Sequence, residues 1–182
     1  MAATAFTLYG KAKKKIGNGT IRLGVGNYRF KLCTSAASAA VNARSTRSTL
    51  ASCTPEISAR GGYVAGGRLL TTPTWGSATS ANIMKFDAAD RTFTASLSSL
   101  INCKYGVIGV STTAGAIHAL CFTRLTSGTQ FTVTSPNTLT VVFDALGIFT
   151  LAKRWQSLPL PCPSKIRRST GGAGSRKRTP MR

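Results

Sequence analysis

From Tyr28 to Thr34 the chain reads YRFKLCT, with Tyr28, Phe30 and Leu32 alternating against Arg29 and Lys31. A period of two places successive side chains on opposite faces of an extended backbone. The run therefore predicts a strand with one buried and one basic face. It is expected to pair with Thr20–Val25 (TIRLGV) around the turn residues Gly26 and Asn27.

Similar short runs recur downstream. Strands are predicted over Gly62–Leu70, Asn82–Asp87, Thr92–Ala95, Tyr105–Val110, Ile117–Thr123, Gln130–Val133, Thr138–Phe143 and Gly147–Leu151. Breaker residues separate them at short, regular spacing, which predicts a mainly β fold: an antiparallel β-sandwich or jelly-roll-like domain. Upstream, Phe6, Tyr9, Ala12 and Ile16 recur every three or four residues between Lys11, Lys13, Lys14 and Lys15. That spacing predicts one short amphipathic helix ending at Gly17-Asn18-Gly19. The Ser-, Ala-, Thr- and Arg-rich stretch Ser35–Arg60 has little hydrophobic pattern and is expected to be a long surface loop or arm.

The 182 residues carry 24 Lys/Arg against four Asp/Glu, a formal charge of +20. Nine of the basic residues and none of the acids lie in 153–182, where Pro159, Pro161 and Pro163 precede KIRRSTGGAGSRKRTPMR. The chain accordingly divides into a β-rich domain over 1–152 and a Pro-punctuated, disordered or extended basic tail over 153–182. Such a field attracts polyanions, either phosphate backbones or acidic protein surface. The contact candidates are the clustered cations without acidic neighbours: Lys11, Lys13, Lys14 and Lys15, Arg44 and Arg47 in the arm, and Lys165, Arg167, Arg168, Arg176, Lys177, Arg178 and Arg182 in the tail.

Catalytic and cofactor chemistry finds little footing. Asp87 and Asp90 are the nearest approach to a carboxylate pair, and turn or strand-capping roles suit them better. His118 stands alone in an apolar strand, and a dyad with Cys103 or Cys121 has no supporting motif. The glycines of RGGYVAGGR, Gly61, Gly62, Gly66 and Gly67, lack the Lys-Ser/Thr ending of a phosphate loop and read as turns or bulges. The scattered Cys33, Cys53, Cys103, Cys121 and Cys162 form no C-x-x-C pair, so free thiols are expected, with no zinc site, no catalytic residues and no cofactor. Neither a secretory signal nor about 18 consecutive apolar residues is found, so no membrane partner is expected.

The order of segments carries a resemblance. KAKKKIGNGTIRLGVGNYRFKLCTS, GGYVAGGRLL, MKFDAADRTFTAS with KYGVIGV, and VVFDALGIFTL resemble a family of tailed-bacteriophage virion structural proteins. Its members look like AKxKLxxGxIDLDxxxFKVxLxTS, GYTAGGKxL, FDADDxTWTAS with ARYAVIYD, and NAAGIFTL. The correspondence is collinear from Leu8 to about Ala152. Gly62, Tyr63, Gly66, Gly67, Phe86, Asp87, Asp90, Tyr105, Gly147, Phe149 and Leu151 match it as fold-defining positions. The resemblance implies a non-enzymatic particle component located in the virion and assembled in the host cytoplasm. A capsid decoration or cement protein is the first reading, and a tail or head–tail part the second. Its implied partners are the major capsid protein or other virion proteins, further copies of itself in a homo-oligomer, and packaged nucleic acid through the tail. The chain departs from the family where Arg22-Leu23-Gly24 replaces an acidic stretch, and where Arg44, Arg47 and Arg60 replace an acid-rich loop. The tail has no counterpart. Two further readings are a nucleocapsid-type coat protein whose basic tail binds genome and a cellular nucleic-acid-binding module.

Overall fold

A computed structural model describes residues 5–78, 82–112 and 115–152. Its strands are β1 (Thr7–Leu8), β2 (Asn27–Cys33), β3 (Arg68–Leu69), β4 (Thr74–Ser77), β5 (Ile83–Asp87), β6 (Arg91–Thr94), β7 (Leu100–Cys103), β8 (Tyr105–Ser111), β9 (Ile117–Arg124), β10 (Phe131–Val133), β11 (Thr138–Val141) and β12 (Phe149–Ala152). Two short helices, α1 (Gly10–Gly17) and α2 (Ser38–Asn42), stand before and after β2. The fold is mainly β and every strand pairing among the described residues is antiparallel, as the alternation and breaker spacing predict.

A five-stranded sheet in the order β1-β9-β8-β2-β3 forms the centre, with smaller sheets β12-β5-β4, β11-β6 and β10-β7 around it. β2 and β8 pair along their whole lengths, with Phe30 opposite Ile108 and Lys31 opposite Val107. Alternation then assigns the two faces: Tyr28, Phe30, Leu32, Ile108 and Val110 share one, while Lys31, Cys33, Tyr105 and Val107 share the other. On the first face Tyr28 meets Phe86 with ring centroids 4.7 Å apart, and Phe30 meets Phe93 at 5.9 Å and Phe143 at 6.2 Å. Rings from β5 and β6 are thereby layered on β2, as sheets pack in a sandwich. Phe30 lies directly over Gly106, where an added Cβ would come within 2.3 Å of the ring.

The second face corrects two expectations. Lys31 is not on a solvent-facing basic side but only 4% exposed. Ser35–Arg60 is not a surface loop: it folds into a 3-10 turn at Ser35–Ala37, helix α2 and a return segment, and buries Ala37, Val41, Leu50, Cys53 and Ile57. Its apolar residues are too widely spaced to show a period, yet each meets the sheet. Leu50 packs over Gly109, Tyr105 donates to Ser38 Oγ at 2.9 Å, and Tyr9 donates to the Val41 carbonyl at 2.9 Å.

Other local differences have equally local causes. Thr20–Val25 turns instead of forming a strand, held by the Tyr28 hydroxyl on the Arg22 and Val25 carbonyls, so β2 takes β8 and β3 as partners. Phe6, Thr7 and Leu8 precede the helix, and Thr7 and Leu8 pair with β9 opposite Phe122 and Cys121. Of Gly62–Leu70 only Arg68–Leu69 is strand. Gly67 has φ +81° and sits under the Phe30 carbonyl, where a Cβ would approach to 2.6 Å, so a turn ending in glycine delivers β3 to β2. β4, β7 and α2 carry no sequence signal strong enough to predict them.

Candidate polyanion- and partner-binding surface

Helix α1 is placed by its apolar stripe. Tyr9 and Ala12 are buried, Tyr9 packing on Phe122 at 5.1 Å, and Ile16 is half-buried. That orientation turns Lys11, Lys13 and Lys14 outward, and all three are exposed. Lys14 and Lys15 lie in the last turn, where cations complement the carbonyl end of the helix. At the other end, Gly10 N donates to the Arg44 carbonyl at 2.7 Å, which brings exposed Arg44 alongside the helix start. The fold thus gathers Lys11, Lys13, Lys14 and Arg44 from two distant stretches.

Lys15 and Arg47 are held differently. Lys15 Nζ lies 2.7 Å from His118 Nδ1. An ammonium can only donate, so Nδ1 is the acceptor and the ring proton sits on Nε2, 3.4 Å from Thr112 Oγ1. Burial and the Lys15 charge both push the His118 pKa below its ordinary value, against a backbone hydrogen bond at Ser48. Arg47 Nη1 donates to the Ser52 carbonyl at 2.9 Å within the half-buried arm. The tail candidates Lys165, Arg167, Arg168, Arg176, Lys177, Arg178 and Arg182, with Cys162, lie outside the described residues.

All four carboxylates of the chain are described, and each has a structural task. Glu56 faces Lys31 Nζ at 3.2 Å and accepts hydrogen bonds from the Tyr63 hydroxyl and, at 2.8 Å, from Gly66 N. Asp87 pairs with Lys85 at 3.1 Å and accepts from Ala88 N. Asp90 accepts from Phe143 N at 2.9 Å, and Asp144 from Leu146 N at 2.8 Å. A lysine, a neighbouring amide and the distant Phe143 amide therefore occupy the candidate acid/base pair.

The thiols are equally withdrawn. Cys33, Cys53, Cys103 and Cys121 are buried and unpaired. Burial raises the pKa of Cys33 to about 12 and that of Cys103 to about 11, and it pushes Cys53 and Cys121 up as well. These sulfurs stay protonated at neutral pH and are poor nucleophiles. Among the described residues no cluster of His, Cys, Asp or Glu could hold a metal ion, and no helix is long and apolar enough to cross a membrane.

Next to α1, a groove of about 620 Å³ runs between β1 and the 142–151 segment. Phe6, Leu8, Ile148 and Leu151 line it, with Lys13 and Asp144 also on its walls. Val142 and Leu146, 44% and 57% exposed, extend the apolar surface. Sequence reading did not single out the buried Lys31–Glu56–Tyr63 cluster. Counting would have flagged it: with four acids in the chain, each one has many cations to choose from, and the choice marks where burial demands a partner. No family model matches the chain, and comparison with curated proteins and with solved structures gives no match either.

Proposed function

We propose that the chain is a non-enzymatic structural component of a tailed-phage virion, a capsid decoration or cement protein that docks on the head lattice by surface and electrostatic complementarity. The observation that carries the docking reading is the division of charge. Every carboxylate is tied to a backbone amide, a hydroxyl or a lysine of its own chain, while Lys11, Lys13, Lys14 and Arg44 stand exposed on one surface with no acid in salt-bridge range. A surface so lacking in internal compensation favours an external anion. The virion assignment rests on the resemblance, and the positions that carry it have fold-setting roles. Tyr63, Phe86, Tyr105 and Phe149 are buried, Asp87 holds the Ala88 amide, Asp90 ties down the distant Phe143 amide, and Gly67 and Gly147 have φ of +81° and +94°.

Repetition across a particle would let individually weak contacts sum to stable attachment. The test is incorporation into pre-formed heads as a function of salt, comparing the intact chain with a Lys11→Gln/Lys13→Gln/Lys14→Gln variant and with a chain lacking 165–182. Both changes are expected to weaken incorporation and flatten its salt dependence. Unchanged incorporation in both would sink the electrostatic docking. Assembly of the isolated chain into closed shells would favour the nucleocapsid reading instead.

A further inference from the structure

Two half-buried arginines of the fold have side chains left without a hydrogen bond or an ion pair among the described residues. Arg68 on β3 lies opposite Phe30, and Arg91 on β6 is two residues from Phe93 on the same strand. Residues opposite one another, or two apart along a strand, share a face. Both arginines therefore point into the layer between β2 and β6, beside the Phe30–Phe93 ring pair, from the two sides that it joins. A guanidinium carries five N–H donors. Among the described residues neither Arg68 nor Arg91 makes a hydrogen bond or an ion pair, and Arg91 Nε is buried without any acceptor. Arg29 Nη1 and Arg47 Nη1, by contrast, each donate to a carbonyl, at 3.2 and 2.9 Å, although Arg47 Nε, like Arg91 Nε, is buried without an acceptor.

No carboxylate of this chain can fill the gap. Glu56 and Asp87 are paired with lysines, and neither Asp90 nor Asp144 lies within salt-bridge range of a cation among the described residues. Burial and the neighbouring Arg68 charge together hold the Arg91 pKa below the usual arginine value. Like charges held together in a half-buried position cost stability unless an anion lies between them.

We propose that Arg68 and Arg91 form a carboxylate-binding site at the rim of the inter-sheet layer, built to receive an acidic side chain of a partner protein. Two planar forks match a planar carboxylate, and charge-assisted bonds of this kind are the strong ones. A side-chain carboxylate extends on its own stem to half-buried donors, whereas the phosphates of a polynucleotide lie along a continuous backbone and suit the exposed lysines of α1 better. The carboxylate site stands on its own geometry, and only the identity of its partner rests on the docking reading above.

The experiment is an NMR titration of the intact chain, following the arginine Nε–H resonances in sodium acetate, with sodium phosphate and sodium chloride at matched ionic strength. Acetate is expected to shift the Arg91 Nε–H signal saturably, and Arg68→Gln to weaken that binding about tenfold. In chloride, Arg68→Gln and Arg91→Gln are expected to melt at or above the wild-type temperature, because each relieves repulsion and removes no internal bond. An acetate response no different from chloride would overturn the site. So would a clear loss of melting temperature in chloride, which would make the arginines structural, and tighter saturation by phosphate would overturn the carboxylate assignment. Saturation by acetate together with unchanged incorporation in the particle experiment would leave the site standing and remove only the virion partner.

Discussion

The two faces of the central sheet are covered by opposite means. On one, Tyr28 and Phe30 meet Phe86, Phe93 and Phe143, an apolar contact that needs shape and little else. On the other, a segment poor in large apolar residues is fixed by Lys31, 4% exposed, against Glu56, 17% exposed, with Lys31 also donating to the Leu50 carbonyl at 3.3 Å. Tyr63 links the two: its ring packs on Phe93 at 5.9 Å, and its hydroxyl donates to Glu56 while accepting from Leu32 N at 3.1 Å. A polar segment can serve as a core layer when the buried charge it faces is paired, as Glu56 pairs Lys31. Desolvating them is the cost, and their bonds fix the register of the cover.

The largest break in this comparison comes from the apolar face. Phe30→Ala is expected to cost about 3–5 kcal/mol, because a fully buried ring above Gly106 leaves a void that strands cannot collapse into. Urea unfolding would measure it. On the polar face, Glu56→Ala should cost about 3 kcal/mol by leaving the Lys31 ammonium buried and unpaired. A Lys31→Met/Glu56→Leu double variant should recover most of that loss. If the double variant is no more stable than Glu56→Ala, the two faces are not interchangeable and the pair does more than compensate for its own burial.

Tyr63→Phe keeps the ring and removes the hydroxyl, so it should cost about 1–2 kcal/mol and act on the polar face alone. Amide exchange at Leu32 should accelerate in this variant, and unaltered protection there would mean that the hydroxyl does not hold the edge of β2. The smallest effect concerns His118. Its folded pKa lies below its ordinary value of about 6.5, so the unfolded chain takes up a proton that the folded chain refuses. Stability should therefore fall as pH drops from about 6.5 towards the lower folded value. His118→Gln should flatten that slope, and an unchanged profile between pH 7 and 5 would remove His118 from the account.

Much of the β architecture is readable from the chain because alternation is a local property. Tyr28, Phe30 and Leu32 announce the inner face of β2, and the breakers around Tyr105–Val110 and Ile117–Thr123 bound β8 and β9. The burial of the arm is not legible in the sequence for a physical reason. Val41, Leu50, Cys53 and Ile57 share no period, since irregular backbone can point each of them at the sheet separately. The burial of Lys31 is not legible either, because alternation assigns a residue to a face without saying what covers that face. The lysines of α1 were legible from their spacing with Ala12 and Ile16. Arg44 joins them only through the Gly10 N to Arg44 carbonyl bond across 34 residues, and Arg68 and Arg91 are brought to one layer only because Arg68 pairs opposite Phe30 and Phe30 meets Phe93 of β6.

By itself, then, the sequence determined a mainly β chain with an amphipathic basic helix and four scarce acids, since periodicity, breakers and charge count are written residue by residue. Tertiary structure alone decided which cations are partnered and which are left open. That choice depends on burial and on neighbours distant in the chain, which fix whether a charge is compensated from within or waits for an anion from outside.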